Sequence, residues 1–440
     1  MDFFSEKELV AQTGHDVGDW PLVFIKETFD NALDACEEAD IPPTIDVIAD
    51  ARGITVRDNG PGLPEATLRS AMDFTTRTSN REAYVGPTRG AQGNALKTLL
   101  PMPRVIDEQH GKLIVQAHGK RHAITCGADP ISQRASIHDD VIELPTVGTE
   151  VRIEWSPRTN CYNSVIWPFD GIVVPDCPKF LGRFREMIEG FALFNPHVTI
   201  RLDWFGEQTE MKASDPLWEK WRPHQPTSCH WYEQRHLERL IGAYITHERE
   251  AGIDRLASDF VAEFDGLTGS QKRTKVLDDA DLKRVRLSEF VRGDRLDSER
   301  IANLLSAMQR HTRPVNPKRL GLIGEDHFRL RLLAMGVKPE SFRYAKRLSK
   351  DGEPWVLESA FGWLGEGSPD WRCIYVGANW SAAIKNPFRS FGTTGEGLEA
   401  ILSEMKAGAR EPIVNALHLA HPRIEYTDRG KSALIVGGAA

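Results

Sequence analysis

Three side chains able to do chemistry stand at helical spacing near the start of the chain: Glu27, Asn31 and Asp34, at i, i+4 and i+7. At 100° per residue they share one face, while Leu22, Ile25, Phe29, Ala32, Leu33 and Cys36 cluster on the opposite one. A carboxylate, a carboxamide and a second carboxylate, with little Lys or Arg between them, can hold a hydrated divalent cation and orient a water. Mg²⁺ suits such a set because it prefers oxygen ligands and keeps several of its own waters. The competing reading of the triad is an ordinary solvated helix face.

Two further stretches bear on that choice. Residues 44–48 and 53–57 alternate in hydrophobicity around a turn, which predicts a β-hairpin. Its second strand runs into Asp58-Asn59-Gly60-Pro61-Gly62. A carboxylate at a strand end followed by glycines can accept hydrogen bonds from a ligand lying close to the backbone, although alone it is a turn signature. Residues 64–76 then read as a helix. Beyond them, Gly86-Pro87-Thr88-Arg89-Gly90-Ala91-Gln92-Gly93-Asn94 leads into a helix-forming run that carries Lys97. Free N–H groups at a helix start can bind an anion, and Lys97 can add a point charge. The G-x-x-x-x-G-K-[ST] spacing of a Walker A loop is absent.

In this order, E-x-x-x-N-x-x-D, DNGPG and RGAQG resemble the GHKL ATPase family, which includes type II topoisomerase ATPase subunits, MutL and histidine kinases. Gly148-Thr149-Glu150-Val151-Arg152-Ile153 resembles the family's Gly-Thr strand. The resemblance implies an α/β (α+β) Bergerat sandwich that binds ATP with Mg²⁺. It implies Glu27 as general base for the attacking water and Asn31 as a Mg²⁺ ligand. Asp58 would accept from the adenine amino group with support from Thr149, and Gly60 and Gly62 would admit the base. Arg89, Gly90, Gln92 and Gly93 would wrap the phosphates as a lid, followed by Asn94, with Asp34 and Lys97 as supporting candidates.

The elements that must carry these residues extend the resemblance. Phe3-Phe4-Ser5-Glu6-Lys7-Glu8-Leu9 resembles the N-terminal strap of the topoisomerase VI B subunit, and RGAQG resembles its RGQQG. Phe194-Asn195-Pro196-His197-Val198-Thr199-Ile200 resembles the helix and strand that close its ATPase domain, and Trp221-Arg222-Pro223-His224 its linker. A span rich in helix formers follows, matching a diverged helix–two-turn–helix-like insert. Its basic cluster of Lys272, Arg273, Lys275, Lys283, Arg284 and Arg286 reads either as a solvated face or as a phosphate-contacting patch. Gly321-Leu322-Ile323-Gly324-Glu325 resembles the entry to the transducer domain, a ribosomal-S5-like α/β unit. Strand-like runs at 355–363, 373–380 and 413–419 with a helix at 397–406 fit one built on a right-handed crossover. The loop from Tyr426 to Ala433 resembles the one whose lysine reaches the γ-phosphate, which implies Lys431 as a switch lysine. The expected domains are a strap at 1–20, an ATPase domain at 21–215, the insert at 216–315 and the transducer at 316–440.

Composition excludes several classes. A chain of 440 residues suggests roughly two to four domains. A net charge of −8 gives no global basic field, so DNA contact would be local or lent by a partner. Six scattered cysteines without CxxC spacing fit a cytoplasmic location, and neither a signal peptide nor a membrane span is expected. The resemblance implies ATP-dependent homodimerisation through the straps, with a topoisomerase VI A-like subunit as a possible partner cutting DNA. The long stalk helix that docks that subunit is expected to be lacking, since the chain ends shortly after Lys431. A stand-alone ATP-dependent dimerising switch, chaperone-like or acting in mobile-element or defence biology, is the alternative. A histidine kinase is disfavoured, because that class needs a phosphoacceptor helix before its ATP module.

Overall fold

The computed structural model describes residues 3–74, 83–89, 95–128, 135–175, 177–222, 224–349, 353–369, 371–389, 396–426 and 434–435. The N-terminal segment carries helix α1 (Glu6–Thr13). Ser5 Oγ accepts the Glu8 N–H at 3.2 Å while the Glu8 carboxylate accepts the Ser5 N–H at 3.0 Å, a reciprocal cap that starts the helix. Helix α2 (Trp20–Glu38) follows with Pro21 in its first turn, where an N–H has no helical partner to lose. All six residues of its expected apolar stripe are buried, and Phe29 meets Phe191 at 4.8 Å between ring centroids. Lys26, Asp30 and Glu37 are buried too, which that stripe does not explain.

Strands β1 (Thr44–Asp50) and β2 (Gly53–Asp58) form the expected hairpin. After α3 (Glu65–Met72), α4 (Ala95–Leu99) and α5 (Met102–Ile106) come β3 (Lys112–Ala117), β4 (Lys120–Ala128), β5 (Ala135–Glu143) and β6 (Thr149–Glu154). Rather than extending the meander past β5, β6 inserts between β2 and β3. Three two-residue strands, β7 (Arg158–Thr159), β8 (Val165–Ile166) and β9 (Val173–Val174), make a small separate sheet. Helix α6 (Pro178–Phe194) then leads to β10 (Thr199–Trp204) and β11 (Glu207–Met211). The large sheet runs β11-β10-β1-β2-β6-β3-β4-β5, with β1 parallel to β10. Burial alternates along β1 and β6, so one face of the sheet is packed, and α2 lies against β2 and β6 there.

The expected helical span contains α7 (Gln234–Ala251), α8 (Ala257–Val261), α9 (Ser270–Asp279) and α10 (Ser298–His311), with a hairpin of β12 (Val291–Arg292) and β13 (Arg295–Leu296). Helix α10 packs on α7 and α9. Helix α11 (Glu325–Ala334) precedes a second sheet of β14 (Arg343–Leu348), β15 (Val356–Trp363), β16 (Cys373–Ala378), β17 (Ser381–Ala382) and β18 (Ile413–Ala420), ordered β14-β15-β18-β16-β17. The parallel pair β16–β18 is bridged by a crossover containing α12 (Leu398–Glu404). Every residue of β18 is buried, as in a strand covered on both faces. On one side β16 and β17 rest on α6, and on the other Val376, Phe388, Leu398, Leu402 and Leu417 form a second apolar cluster. A last ladder pairs β19 (Glu425–Tyr426) with β20 (Leu434–Ile435). Among the described residues no helix is long and apolar enough to cross a membrane.

Candidate functional site

The β2–β6 pairing sets Arg57 opposite Glu150, which brings Asp58 at the end of β2 beside Thr149 at the start of β6. Asp58 Oδ1 accepts the Gly60 N–H at 2.8 Å and the Thr149 N–H at 3.1 Å. Burial pushes the Asp58 carboxyl up from its ordinary range, against the pull of those hydrogen bonds. The surroundings are backbone by necessity. Gly148 sits at φ +72°, and a Cβ there would lie 1.9 Å from the Asp58 carbonyl oxygen. A Cβ on Gly60 would meet Asp58 Oδ1 at 3.0 Å and Cys36 Sγ at 3.1 Å, so the turn abuts α2 directly. Asn59 pins the turn from outside: its Oδ1 accepts the Thr44 N–H at 2.8 Å and its Nδ2 donates to the Pro42 carbonyl at 3.0 Å.

On α2, Asn31 is exposed, while Glu27 and Asp34 are partly so. Behind them lies a charge pair that periodicity did not reveal. The buried Lys26 ammonium is 2.7 Å from Asp30 Oδ2 and 3.6 Å from Glu27 Oε1. Burial works against the charge on Lys26, but Asp30 and Glu27 outweigh it and its pKa is raised. Asp30 Oδ2 also accepts the Ser381 hydroxyl at 2.8 Å, from β17 of the second sheet.

Arg89, expected among the residues that wrap phosphates, is paired within the protein. Its side chain is fully buried, and its two terminal nitrogens donate to Asp34 Oδ1 at 2.6 Å, Glu37 at 2.6 and 2.8 Å, and Asn195 Oδ1 at 2.6 Å. The reason is charge: Glu37 and Asp34 offer two buried or half-buried carboxylates, and an unpaired guanidinium or carboxylate there would be costly. Glu37 also lies 3.0 Å from His197 Nε2 and 2.8 Å from Lys220 Nζ. Burial would raise the Glu37 carboxyl, but Arg89 and Lys220 hold it well below the usual range. Lys220 stands over the Trp380 ring at 4.9 Å, and Asn195 Nδ2 donates to the Trp380 carbonyl at 2.9 Å. Asp34 is thus tied into a hub joining α2, the base of the glycine-rich segment and the second sheet. The Asn-Pro-His stretch was its local signal in the sequence.

Of the remaining expected site residues, Lys97 is buried on α4, which packs against α2. Gly62, at φ +92°, faces the His118 ring. Gly90, Gln92, Gly93, Asn94 and Lys431 lie outside the described residues. Among the described residues, no group of three or more His, Cys, Asp or Glu side chains could hold a metal ion. In the helical insert the basic cluster is largely exposed, with Lys283 paired to Asp278 at 2.7 Å.

No protein-family model matches the chain. The B subunit of type 2 DNA topoisomerase 6 from Archaeoglobus fulgidus is 53% identical over 76 residues, covering 16% of this chain and 12% of that protein. Its counterpart from Natronomonas pharaonis is 42% identical over 216 residues, covering 46% of this chain and 24% of that protein. The matches therefore span no more than about a quarter of those relatives' length. Among solved structures, the B subunit of DNA gyrase from Myxococcus xanthus aligns with a TM-score of 0.40 at 11% identity, over 98% of this chain and 89% of that one. The ATPase region of Saccharomyces cerevisiae topoisomerase II aligns with the same TM-score and identity, over 94% and 76%.

Proposed function

We propose, from the premise that this chain is a topoisomerase VI B-like protein of the GHKL ATPase superfamily, that it is the Mg²⁺-dependent ATP-hydrolysing subunit of a DNA-acting complex. The observation that carries the reading is the double hold on Asp58 Oδ1 by Gly60 and Thr149, set against the C-terminal half of α2. That buried carboxylate, with a floor of glycine backbone, suits an exocyclic amine on a flat base. The donor set also suits a metal held mainly by its ligand: Asn31 offers one amide oxygen, and phosphate oxygens and waters would complete the shell. Bound Mg²⁺ supplies charge neutralisation at the phosphate oxygens.

Each residue then has a task. Asp58 accepts from the base and Thr149 orients Asp58. Asn31 would hold the metal. Glu27, on the same face one turn earlier, takes the proton of the attacking water. Lys431, outside the described residues, would contact the terminal phosphate, so that binding and hydrolysis favour different interdomain arrangements. Homodimerisation through the α1 segment and association with a topoisomerase VI A-like subunit on DNA complete the proposal.

The test is calorimetric titration of the purified chain with ATP and Mg²⁺, beside phosphate-release assays. Wild type should bind and hydrolyse, Asp58→Asn should bind at least tenfold more weakly, and Glu27→Gln should bind but turn over ~10²-fold more slowly. Binding unaffected by Asp58→Asn, or turnover unaffected by Glu27→Gln, would overturn the assignment. Hydrolysis and dimerisation that ignore DNA and any A-type subunit would instead select the stand-alone switch.

A further inference from the structure

We infer that Ser381, carried by the second sheet, is a positioning residue for Glu27 and acts through Asp30 and Lys26. The inference rests on the assignment of Glu27 as the hydrolytic base. The geometry is a short chain of contacts: Ser381 Oγ donates to Asp30 Oδ2 at 2.8 Å, the same oxygen is 2.7 Å from Lys26 Nζ, and that ammonium is 3.6 Å from Glu27 Oε1. Ser381, Asp30 and Lys26 are each at most 8% exposed, so these contacts act with little solvent screening. Lys26 and Asp30, at i and i+4 on α2, need no third group to pair. The hydroxyl instead adds a second hold on the oxygen that anchors the ammonium, from an element 351 residues away in the chain.

Ser381 is itself held where it is. The turn before it places Asn379 at φ +48° and Trp380 at φ +63°, a left-handed pair with no glycine. A tryptophan in that conformation is an outlier that persists only where its surroundings over-determine it. They do so here. The Asn379 N–H donates to the Leu419 carbonyl at 2.8 Å, and its side chain both donates to the His421 carbonyl at 3.0 Å and accepts the His421 N–H at 2.9 Å. The Trp380 N–H donates to His418 Nε2 at 2.9 Å. From outside that sheet, Thr88 and Asn195 meet the same turn: Asn379 Nδ2 donates to the Thr88 carbonyl at 3.1 Å and Asn195 Nδ2 to the Trp380 carbonyl at 2.9 Å. A strained turn fastened on both sides presents one hydroxyl to α2 at a fixed point, as a preorganised site requires. Movement of the second sheet would withdraw that hydroxyl, loosen the Asp30–Lys26 anchor and release the Glu27 carboxylate from its orientation.

The experiment compares steady-state ATP hydrolysis by full-length Ser381→Ala, Ser381→Thr, Ser381→Val, Asp30→Asn and the Ser381→Ala/Asp30→Asn double variant, with Glu27→Gln alongside. A misoriented base lowers kcat and leaves ground-state binding intact. Ser381→Ala should therefore lose about tenfold in kcat, the scale of one hydrogen bond to a charged group, with KM within about twofold. Thr and Val are isosteres, so Ser381→Thr should keep most of kcat and Ser381→Val should not, even if the alanine variant folds poorly. Within Asp30→Asn, adding Ser381→Ala should cost less than about twofold, because the two act as one unit. Equal kcat for Ser381→Thr and Ser381→Val, or full additivity with Asp30→Asn, overturns the inference while Glu27→Gln still reports the base. Wild-type turnover in Glu27→Gln would overturn the functional reading itself.

Discussion

Replacing Gly148 with alanine tests the proposed base-binding geometry at its tightest point. Gly148 precedes Thr149 and has φ +72°, where an L side chain costs about 1–2 kcal/mol. The added Cβ would also fall 1.9 Å from the Asp58 carbonyl oxygen and 2.7 Å from its carbon, far inside the 3.4–4 Å of ordinary contact. Neither neighbour is a flexible side-chain end, so the end of β2 must move away from the start of β6. The bond most exposed to that movement is Thr149 N–H to Asp58 Oδ1, at 3.1 Å. A hydrogen bond to a charged group is worth about 1.5–3 kcal/mol, so ATP affinity should fall roughly 10–100-fold. The assay is calorimetric titration with ATP and Mg²⁺, paired with thermal unfolding. Gly206→Ala is the control: Gly206 has φ +93° but nothing within 4 Å of its would-be Cβ, so it carries the backbone strain without the collision. Equal ATP affinity in the two variants would refute the reasoning, because strain alone would then account for Gly148.

Other outcomes follow from the same geometry. Glu37→Gln leaves Arg89 and Lys220 buried with too little negative charge, and the first urea-unfolding transition should fall by about 3–5 kcal/mol; a change below 1 kcal/mol would make the hub dispensable. His418 accepts the Trp380 N–H and is fully buried, and burial together with the Arg89 charge pushes its pKa down to about 3. Its folded pKa lies below the unfolded value, so its contribution is complete above about pH 6.5 and is lost as pH falls toward 3, at up to ~1.4 kcal/mol per pH unit. His418→Gln should flatten that part of a stability–pH curve, and an unchanged slope would count against the assignment. Lys431→Ala should leave ATP binding within a few fold while hydrolysis or ATP-induced cross-linking of dimers falls, and parallel losses in both would argue for a simple binding role.

Much of the framework around the candidate site could be read from local spacing. The six apolar residues of α2 are buried as their 3.6-residue period requires, and the β1–β2 hairpin forms where alternation and a turn predicted it. Asp58 and the glycines around it follow directly from that hairpin's end. Arg89's buried pairing was not legible for a physical reason: a charged residue beside glycines has the same signature whether it reaches for a phosphate or for buried carboxylates. Its partners Asp34, Glu37 and Asn195 lie 55, 52 and 106 residues away, and no local period couples them.

By itself, then, the amino-acid order determined which faces turn inward, where helices and the hairpin begin, and which polar groups share an edge of α2. Those properties depend on neighbours within a few residues, where backbone geometry is periodic. Only the tertiary structure decided that β6 slides between β2 and β3 to bring Thr149 to Asp58, 91 residues away. It alone joined Asp30 to Ser381 and sank Arg89 into a charge hub. Strand order and buried ion pairs answer to the packing of the whole chain, since a buried charge accepts whichever partner the fold delivers.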